Sequence, residues 1–567
     1  MADSGRLPPK RRQITLPHEL IEAVAQQLPS LVDLLSTALV SKPWFAACVG
    51  FLWRKISCSS PECMWERYRK LFARPPRLFY DYRQAVQHLH VEAAVAWPAI
   101  VAGSPKLQLH KVLTKCPRLS VLKLDCPVVS DDDLWVISTS CRQLRALAVV
   151  SSPTEAHGRI TDEGILAVAK NCAQMRHIRI RIVDRSLLTE RAFQAVARAW
   201  AGRLRTFALE WVQARMGGMG VVGGGGEEDA AESERRIADA LREIIELNPG
   251  LHTVSFDWPC ALAPTLAAAA ASLRALQFLR VAHAPDPVPV AAIIAANPAL
   301  RSLSVLEFDS TVDPTCLLLP LLSASPATSP SPLDSLDLDG VGFLPTLLPL
   351  LPNFTALTHL RVSPSRRAAA LHRHETDAVL STVLAVLPNL VTLDIPILGD
   401  GPLRELATSC PYLETLDVVD GRGITNQALI LLSKGCPSLS SLHLGSAASV
   451  TDQSLVIVAR SLGPTLRRLH LPFGAAGRAM AGASGISPNT LEALATFCPN
   501  LEALVNVPVA TPFNKLIELL PRMERLNTLA FLAGRDHDAF EARAVLGERL
   551  EEVRRACRRL RDCWINE

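Results

Sequence analysis

Apolar residues recur along this chain in one pattern, L-x-x-L-x-L, with conservative apolar substitutions. Clear copies span Leu119–Leu124, Leu390–Ile395, Leu413–Val418 and Leu439–Leu444. Other copies begin at Leu144, Met175, Leu204, Leu251, Leu273, Leu300, Leu333, Leu357, Leu466 and Leu501, and weaker ones at Val86 and Leu526. These about sixteen starts lie mostly 22 to 35 residues apart, with one interval of 47 residues. Alternation at the end of each copy predicts a short strand, and the recurring interval predicts a repeat protein.

The second half of a unit predicts a capped helix. Thr161-Asp162 and Thr451-Asp452 each precede apolar residues at helical spacing. A Ser or Thr at this point accepts a hydrogen bond from a free helix N–H, and the following Asp favours the positive end of the helix. Ser130-Asp131, Thr425-Asn426 and Ser487 hold the same position in other units. Each unit therefore predicts a strand, a turn, a helix and a return, and neighbouring units stack to bury their apolar edges.

Six of the fourteen cysteines share one position in the repeat. Each stands three residues before the first apolar residue of a unit: Cys116, Cys141, Cys172, Cys410, Cys436 and Cys498. Asn248 and Asn297 take this position elsewhere, and the chain has no C-x-x-C pair. The spacing favours small buried structural residues over zinc ligands or disulfides.

These units resemble the cysteine-containing subclass of leucine-rich repeats, over residues 86–531. The resemblance is specific at Cys116–Leu124, Cys410–Val418 and Cys436–Leu444, and weak between residues 251 and 370. It implies an α/β fold, a curved leucine-rich-repeat solenoid (a horseshoe) with parallel strands on its concave face.

Residues 14–58 do not follow the repeat, and their apolar spacing predicts three short helices. A segment of this length is too small to make a large core alone. The segment resembles an F-box in Leu16-Pro17, Glu19-Leu20, Asp33-Leu34-Leu35, Val40-Ser41-Lys42, Trp44 and Leu52-Trp53. F-boxes dock the Skp-type adaptor of cullin-RING ubiquitin ligases. The resemblance implies adaptor contacts from Leu16, Pro17, Leu20, Leu28, Leu34, Leu35, Val40 and Trp44. For each of these residues, a purely structural role is the alternative.

Five further segments complete the predicted organisation: a disordered tail at 1–13, a helical linker at 59–85, a flexible insertion at 215–235, a Ser/Pro loop at 323–332 and a C-terminal capping helix at 532–567. The insertion contains Gly218-x-Gly220-x-x-Gly223, which matches a dinucleotide-binding fingerprint in letters alone. Its glycines run into Glu227, Glu228 and Asp229, whose charge would repel phosphates, so a flexible loop is favoured.

Composition narrows the function further. The chain is 49% hydrophobic and carries a net charge of +4 from 59 basic and 55 acidic residues, so it has no bulk nucleic-acid or membrane signature. We expect no secretory signal, no membrane span and a cytoplasmic or nuclear location. We find no nucleophile–base or metal-ligand constellation, and we expect no cofactor. Binding of a small molecule within the repeats is the alternative.

Residues between the leucines of each strand point away from the core. We expect Lys123, His177, Arg179, Arg181, Asp337, Arg361, Asp394, Asp417, His443 and His470 to tile the concave face, with Asp257 and Asp339 beside them. This face should be basic early and acidic in the middle, and should bind a target of mixed charge. Asp394 and Asp417 should lie close together on neighbouring strands.

The combined resemblance implies a non-catalytic substrate receptor of a Skp–cullin–F-box ubiquitin ligase. Its N-terminal motif would bind the adaptor and, through it, the cullin-RING core, while the repeats would bind a protein target for ubiquitination and degradation by the proteasome. A repeat scaffold that does not promote degradation is the first alternative, and an enzyme or enzyme regulator is a remote one.

Overall fold

A computed structural model describes residues 17–28, 31–58, 85–91, 112–151, 159–182, 187–211, 227–256, 269, 272–281, 288–306, 315–324, 331–341, 344–364, 373–447, 449–471, 487–508, 513–532, 553, 560 and 562–566. The chain forms two compact units. The first comprises Met1–Leu204 with Val212–Gly217, and the second comprises Arg205–Trp211 with Gly218–Glu567.

The first unit contains five described strands and six described helices. The strands are β1 Lys55–Cys58, β2 His88–Val91, β3 Val121–Val129, β4 Ala146–Ser151 and β5 His177–Ile182. The helices are α1 His18–Gln26, α2 Leu31–Ala38, α3 Lys42–Leu52, α4 Asp131–Ser140, α5 Asp162–Asn171 and α6 Glu190–Ala199. The three helices predicted at the N-terminus are thus confirmed as elements.

Helices α1–α3 share a small apolar core. Ala25, Leu34, Ala38 and Cys48 are buried together, one or two from each helix. Pro43 lies in the first turn of α3, where a missing N–H leaves no helical hydrogen bond unmade. This core is built from few large side chains, as expected of so short a segment.

Strand β1 joins these helices to the repeats of the same unit. It pairs in parallel with β2, which places Ile56 opposite Leu89. The backbone N–H of Gln87 donates to the carbonyl of Arg54, and Arg54 Nε donates to Gln87 Oε1 over 2.9 Å. The last four residues of the predicted F-box segment, Lys55–Cys58, therefore start the sheet.

The remaining strands of the first unit pair in chain order, all in parallel. Leu89, Leu122, Leu147 and Ile178 lie opposite one another in that order and are buried. Each is the middle apolar residue of its repeat, so the sequence period and the sheet register coincide. Because one apolar row runs across all the strands, each repeat covers the edge of its neighbour.

The second unit repeats this arrangement over thirteen described strands. They are β6 Thr206–Trp211, β7 Thr253–Phe256, β8 Phe278–Val281, β9 Ser302–Val305, β10 Ser335–Val341, β11 His359–Pro364, β12 Thr392–Gly399, β13 Thr415–Gly423, β14 Ser441–His443, β15 Arg468–His470, β16 Ala503–Pro508, β17 Thr528–Leu532 and β18 Asp562–Asn566. Each pairs in parallel with the next along the chain.

Ten α-helices of the second unit connect these strands among its described residues. They are α7 Glu227–Leu247, α8 Val288–Ala296, α9 Thr315–Ala324, α10 Leu344–Leu347, α11 Arg373–Leu384, α12 Asp400–Ser409, α13 Asn426–Gly435, α14 Asp452–Leu462, α15 Pro488–Phe497 and α16 Phe513–Leu519, with 3₁₀ turns at Leu348–Asn353 and Leu520–Arg522. The α/β leucine-rich-repeat architecture is thus confirmed, and it continues through the stretch between 251 and 370 where the sequence pattern is weakest.

A side-chain carboxylate connects one repeat to the next at the helix N-termini. The backbone N–H and the hydroxyl of Thr161 donate to the two carboxylate oxygens of Asp131 over 2.8 and 2.6 Å. Asp162 accepts the same pair from Thr189, and Asp400 accepts it from Thr425. We call this contact the carboxylate brace.

The brace explains the Asp that follows the capping hydroxyl in the sequence. Thr161 accepts from Glu163 N within its own helix while donating to Asp131 of the preceding repeat. Gly164 N also donates to Asp131, over 3.1 Å, and a Cβ at Gly164 would collide with that carboxylate. The sequence predicted only that the Asp stabilises its own helix, whereas it also holds the start of the next helix.

The repeat cysteines end the helices and face the preceding repeat. Cys436 Sγ lies 3.4 Å from the carbonyl oxygen of Cys410, and Cys410 Sγ lies 3.4 Å from that of Leu387. All six are buried, and the cysteines among the described residues form no disulfide. Asn248 and Asn297 replace the thiol with a side-chain amide that donates to a carbonyl in the preceding turn. A structural role for this position is therefore confirmed.

Two predicted segments differ in the structure. Residues 227–235 of the predicted insertion begin α7, because an acidic run at a helix N-terminus is stabilised by the helix dipole. Residues 215–226 lie outside the described part. The predicted capping helix ends in strand β18, in which Trp564 pairs with Ala530 of β17. Extending the sheet satisfies backbone groups that a helix end would leave exposed.

Other predicted segments lie wholly or mostly outside the described residues: the tail at 1–13, the linker at 59–85, of which only residue 85 is described, and the Ser/Pro loop at 323–332, of which residues 325–330 are outside. Residues 323 and 324 of that predicted loop end helix α9 instead. Ser323 Oγ donates to the carbonyl of Pro320 over 3.1 Å, so its side chain adds a hydrogen bond within the last turns of the helix.

Asp131 and its neighbour Asp132 allow a matched test of the carboxylate brace. Asp131→Ala should lower the free energy of unfolding by about 2–3 kcal/mol, because three donors lose a charged acceptor. Asp132→Ala removes the same charge from the same helix turn but no brace, so it should change stability by less than about 0.5 kcal/mol. Urea unfolding followed by circular dichroism measures both, and equal effects would refute the brace.

The repeat thiols should resist alkylation in the folded chain. Burial raises the pKa of Cys141, Cys410, Cys436 and Cys498 to about 12, and the thiolate is the reactive form. Differential iodoacetamide labelling at pH 8, read residue by residue by mass spectrometry, should label them only after unfolding. Native labelling at the unfolded rate would contradict the buried structural role.

Candidate protein-interaction surfaces

The residues predicted to contact an adaptor divide into two groups in the first unit. Leu34 is buried in the helical core, and Leu28 and Trp44 pack against that core. Their side chains contribute to the packing of α1–α3, as the structural alternative for these residues expects. Their apolar character alone could not distinguish core from surface.

The second group faces outward. Leu20, Leu35 and Val40 are 53%, 54% and 70% exposed, and Pro17 is also exposed. Leu16 lies outside the described residues. Monomeric proteins rarely leave several large apolar side chains exposed on so small a helical segment without a partner.

Three more apolar residues of the helical segment are exposed: Val24, Leu39 and Phe45. Val24 follows Leu20 by four residues, and Leu39 follows Leu35 by four, so each pair shares one helix face. This spacing is the signal that could have identified Val24 and Leu39 from the sequence. We call Leu20, Val24, Leu35, Leu39, Val40 and Phe45 the apolar face.

The predicted basic residues of the first unit lie on β3 and β5. Lys123 and His177 are exposed, whereas Arg179 and Arg181 are half-buried. In the sheet register Ala148 of β4 lies between Lys123 and Arg179, so one strand separates the two cations. One further residue at this register position was not among those predicted from the sequence.

His90 of β2 lies opposite Lys123 and adds to the same row. Its Nε2 lies 2.8 Å from Asp125 Oδ2. The early face is therefore a mixture of charges rather than purely basic, because a carboxylate sits beside the imidazole.

The second unit brings six of the predicted residues into one row. Asp337, Arg361, Asp394, Asp417, His443 and His470 lie opposite one another on successive strands from β10 to β15. Their neighbours along each strand are buried leucine, isoleucine or valine residues, so this row occupies the sheet face that points away from the core. We call it the polar row. Asp339 is two residues beyond Asp337 on β10, and Asp257 lies outside the described residues.

Ion pairs and short polar contacts join neighbouring residues of the polar row. Arg361 Nε lies 3.0 Å from Asp394 Oδ2 and 3.8 Å from Asp337 Oδ1. His443 Nδ1 lies 2.6 Å from Asp417 Oδ1, and the rings of His443 and His470 are 4.6 Å apart. The predicted closeness of Asp394 and Asp417 is present in the register. The carboxylates of the predicted acidic middle are, however, contacted from both sides, by Arg361 and by His443.

Burial gives the two central carboxyl groups different proton affinities. It raises the pKa of Asp394 to about 6, and the charge of Asp417 adds to the rise. Burial also acts on Asp417, but its hydrogen bond with His443 and the nearby positive charges outweigh that effect and lower the pKa of Asp417. Burial lowers the pKa of His470 to about 4, with a further effect of His443, so the His470 imidazole is uncharged at neutral pH.

Within the described residues, His, Cys, Asp and Glu side chains form no group of three or more that could hold a metal ion. Among the same residues, no helix combines the length and apolar character needed to cross a bilayer.

Residues 14–59 match the F-box-like family model. The chain is also 26% identical over 105 residues to Coronatine-insensitive protein homolog 2 of Oryza sativa subsp. indica, and equally so to that of subsp. japonica. Each alignment spans 18% of this chain and 17% of the relative, so the chain matches less than a fifth of those proteins.

Two solved structures share features of the backbone. One is the Rad7 and Elc1 complex of yeast, with a TM-score of 0.40 and 13% identity, covering 72% of this chain and 84% of that one. The other is the TLR13–ssRNA13 complex, with a TM-score of 0.33 and 15% identity, covering 80% and 64%.

The opposite pKa shifts of Asp394 and Asp417 predict opposite dependences of the free energy of unfolding on pH. Because folding raises the pKa of Asp394 from 3.8 to about 6, the contribution of Asp394 to the stability of the wild type falls as the pH rises from about 4 to about 6. Relative to wild type, Asp394→Asn should therefore gain on the order of 2 kcal/mol between pH 4 and pH 7.5.

Asp417→Asn is the matched control. The lowered pKa of Asp417 means that its ionised form stabilises the fold above the ordinary carboxyl pKa, and that this contribution is lost as the pH falls. Asp417→Asn should therefore lose stability relative to wild type between pH 4 and pH 7.5. Urea unfolding at both pH values measures the differences, and changes of the same sign for both variants would contradict the assignment.

Proposed function

We propose that this protein, which combines an F-box-like segment with leucine-rich-repeat units, is the substrate receptor of a Skp–cullin–F-box ubiquitin ligase. The observation that carries the proposal is the apolar face on α1–α3, which coincides with the matched F-box-like residues. An adaptor that covers these side chains would remove them from water, at a gain of about 1.5–3 kcal/mol for each fully buried large residue.

In this proposal the chain contributes binding rather than chemistry. The helices dock the Skp-type adaptor and through it the cullin-RING core, and the open sheet face of the repeats binds a protein target. Ubiquitin transfer takes place on other subunits and is accelerated because the target is held nearby. The proteasome then degrades the marked target. The proposal places the protein in the cytoplasm or the nucleus.

Leu39 and Val40 provide the sharpest test of adaptor docking, because they are 78% and 70% exposed. Leu39→Asp/Val40→Asp should weaken binding of a Skp-type adaptor by about 100-fold or more, because two apolar contacts become buried charges. Co-purification of the full chain with adaptor and cullin provides the readout.

Val386→Asp is the control, since it places the same charge on an exposed valine of the second unit. It should leave adaptor binding unchanged. Failure of the wild-type chain to bind any Skp-type adaptor would overturn the proposal. Adaptor binding without cullin recruitment would instead support a scaffold that does not promote ubiquitination.

A further inference from the structure

The open sheet face of the second unit carries a feature that specifies the class of target, and this inference rests on the proposed function. Asp394 of β12 and Asp417 of β13 lie opposite each other in register. Their side chains are 21% and 41% exposed, so both are accessible from the open face.

The flanking side chains contact each of these carboxylates through one oxygen. Arg361 contacts Asp394 through Oδ2, and His443 contacts Asp417 through Oδ1. The polar row contains three carboxylates, counting Asp337, and one guanidinium. Its two imidazoles are those of His443, which bonds to Asp417, and His470, which is uncharged at neutral pH, so a cationic group of a ligand would meet two carboxylates in register. A bound cation would stabilise the charged form of Asp394 most, because burial disfavours that form.

An exposed apolar side chain stands next to this charge. Val419 follows Asp417 by two residues on β13, so the two share a sheet face, and Val419 is 58% exposed. Its neighbour in the register, Pro396 of β12, is buried and adds no polar group at the site. At the other end of the same strands lie Thr392 and Thr415, both half-buried, whose hydroxyls can accept or donate hydrogen bonds.

The spacing from carboxylate to valine matches an extended chain. Residues two apart on a strand lie about 6.8 Å from each other on one face, and an extended peptide repeats its side chains at the same distance. A peptide that runs along β13 can therefore set one side chain against Asp394 and Asp417 and the next on that face against Val419. A Lys or Arg at the first position also lays its methylene stem on apolar surface while its charge meets the carboxylates.

We propose that the open face at β12 and β13 binds an extended segment of the target in which a Lys or Arg and an aliphatic residue are two positions apart. The carboxylate pair selects the cation and Val419 selects the aliphatic side chain. The polar row therefore sets which targets the receptor accepts, and the buried leucine rows beneath it only set the spacing.

Two oriented peptide libraries test this inference with the purified full chain. One fixes a central Lys and the other a central Glu, with all other positions randomised. The wild-type chain should retain the Lys library at least about 10-fold better than the Glu library. Sequencing of the bound peptides should show aliphatic residues enriched two positions from the Lys.

Variants assign the selection to named residues. Asp394→Asn/Asp417→Asn should abolish the preference for Lys, while Val419→Ser should remove the aliphatic enrichment and keep the Lys preference. Glu492→Gln, an exposed carboxylate on helix α15, removes a charge elsewhere and should change neither. Circular dichroism and adaptor co-purification establish that each variant is folded.

Equal retention of the two libraries, or an unchanged preference in the double variant, would overturn the inference. These libraries are read without adaptor or cullin. Loss of adaptor binding with intact peptide selection would therefore refute the proposed function alone, and the reverse result would refute only this inference.

Discussion

Each repeat of this protein leaves an apolar edge that only another repeat can cover, and the rest of each unit depends on that constraint. The middle apolar residue of one strand lies opposite the same residue of the next, as Leu393 does with Leu416. Once these rows are buried, the residues between them are forced onto the open face in register. The same constraint that stabilises the fold therefore arranges the polar row, because a slip of one residue would turn every leucine to solvent.

Smaller contacts fix the repeats at their helical side. The carboxylate brace joins a helix N-terminus to the preceding repeat, and the buried thiol does the same at the helix C-terminus, as does the Asn297 amide oxygen by accepting from Leu276 N. Both satisfy polar groups that helix ends leave unpaired, and both lie away from the open face. Residues on that face can therefore vary without loss of the frame, as target recognition requires.

Much of this organisation could be predicted from the sequence, for reasons visible in particular residues. The leucine period fixed the strands, and the Thr-Asp pairs located the helix starts. Sequence alone could not separate Leu34, which is buried, from Leu39, which is exposed, because both are apolar residues near one helix and their orientation depends on packing. Nor could it show that Arg361 contacts two carboxylates at once, since the repeat register predicts which strands are neighbours but not which rotamer a side chain adopts. The acidic residues that begin α7 were predicted to lie in a loop, because a run of acidic residues occurs both in loops and at helix N-termini.

The central claim is that an apolar face on three short helices docks a Skp-type adaptor. Isothermal titration calorimetry of the full chain with that adaptor, at several temperatures, tests it most directly. The account predicts a one-to-one complex with a negative change in heat capacity, because apolar side chains leave water on binding. Absence of binding, or binding with a heat-capacity change near zero, would contradict it.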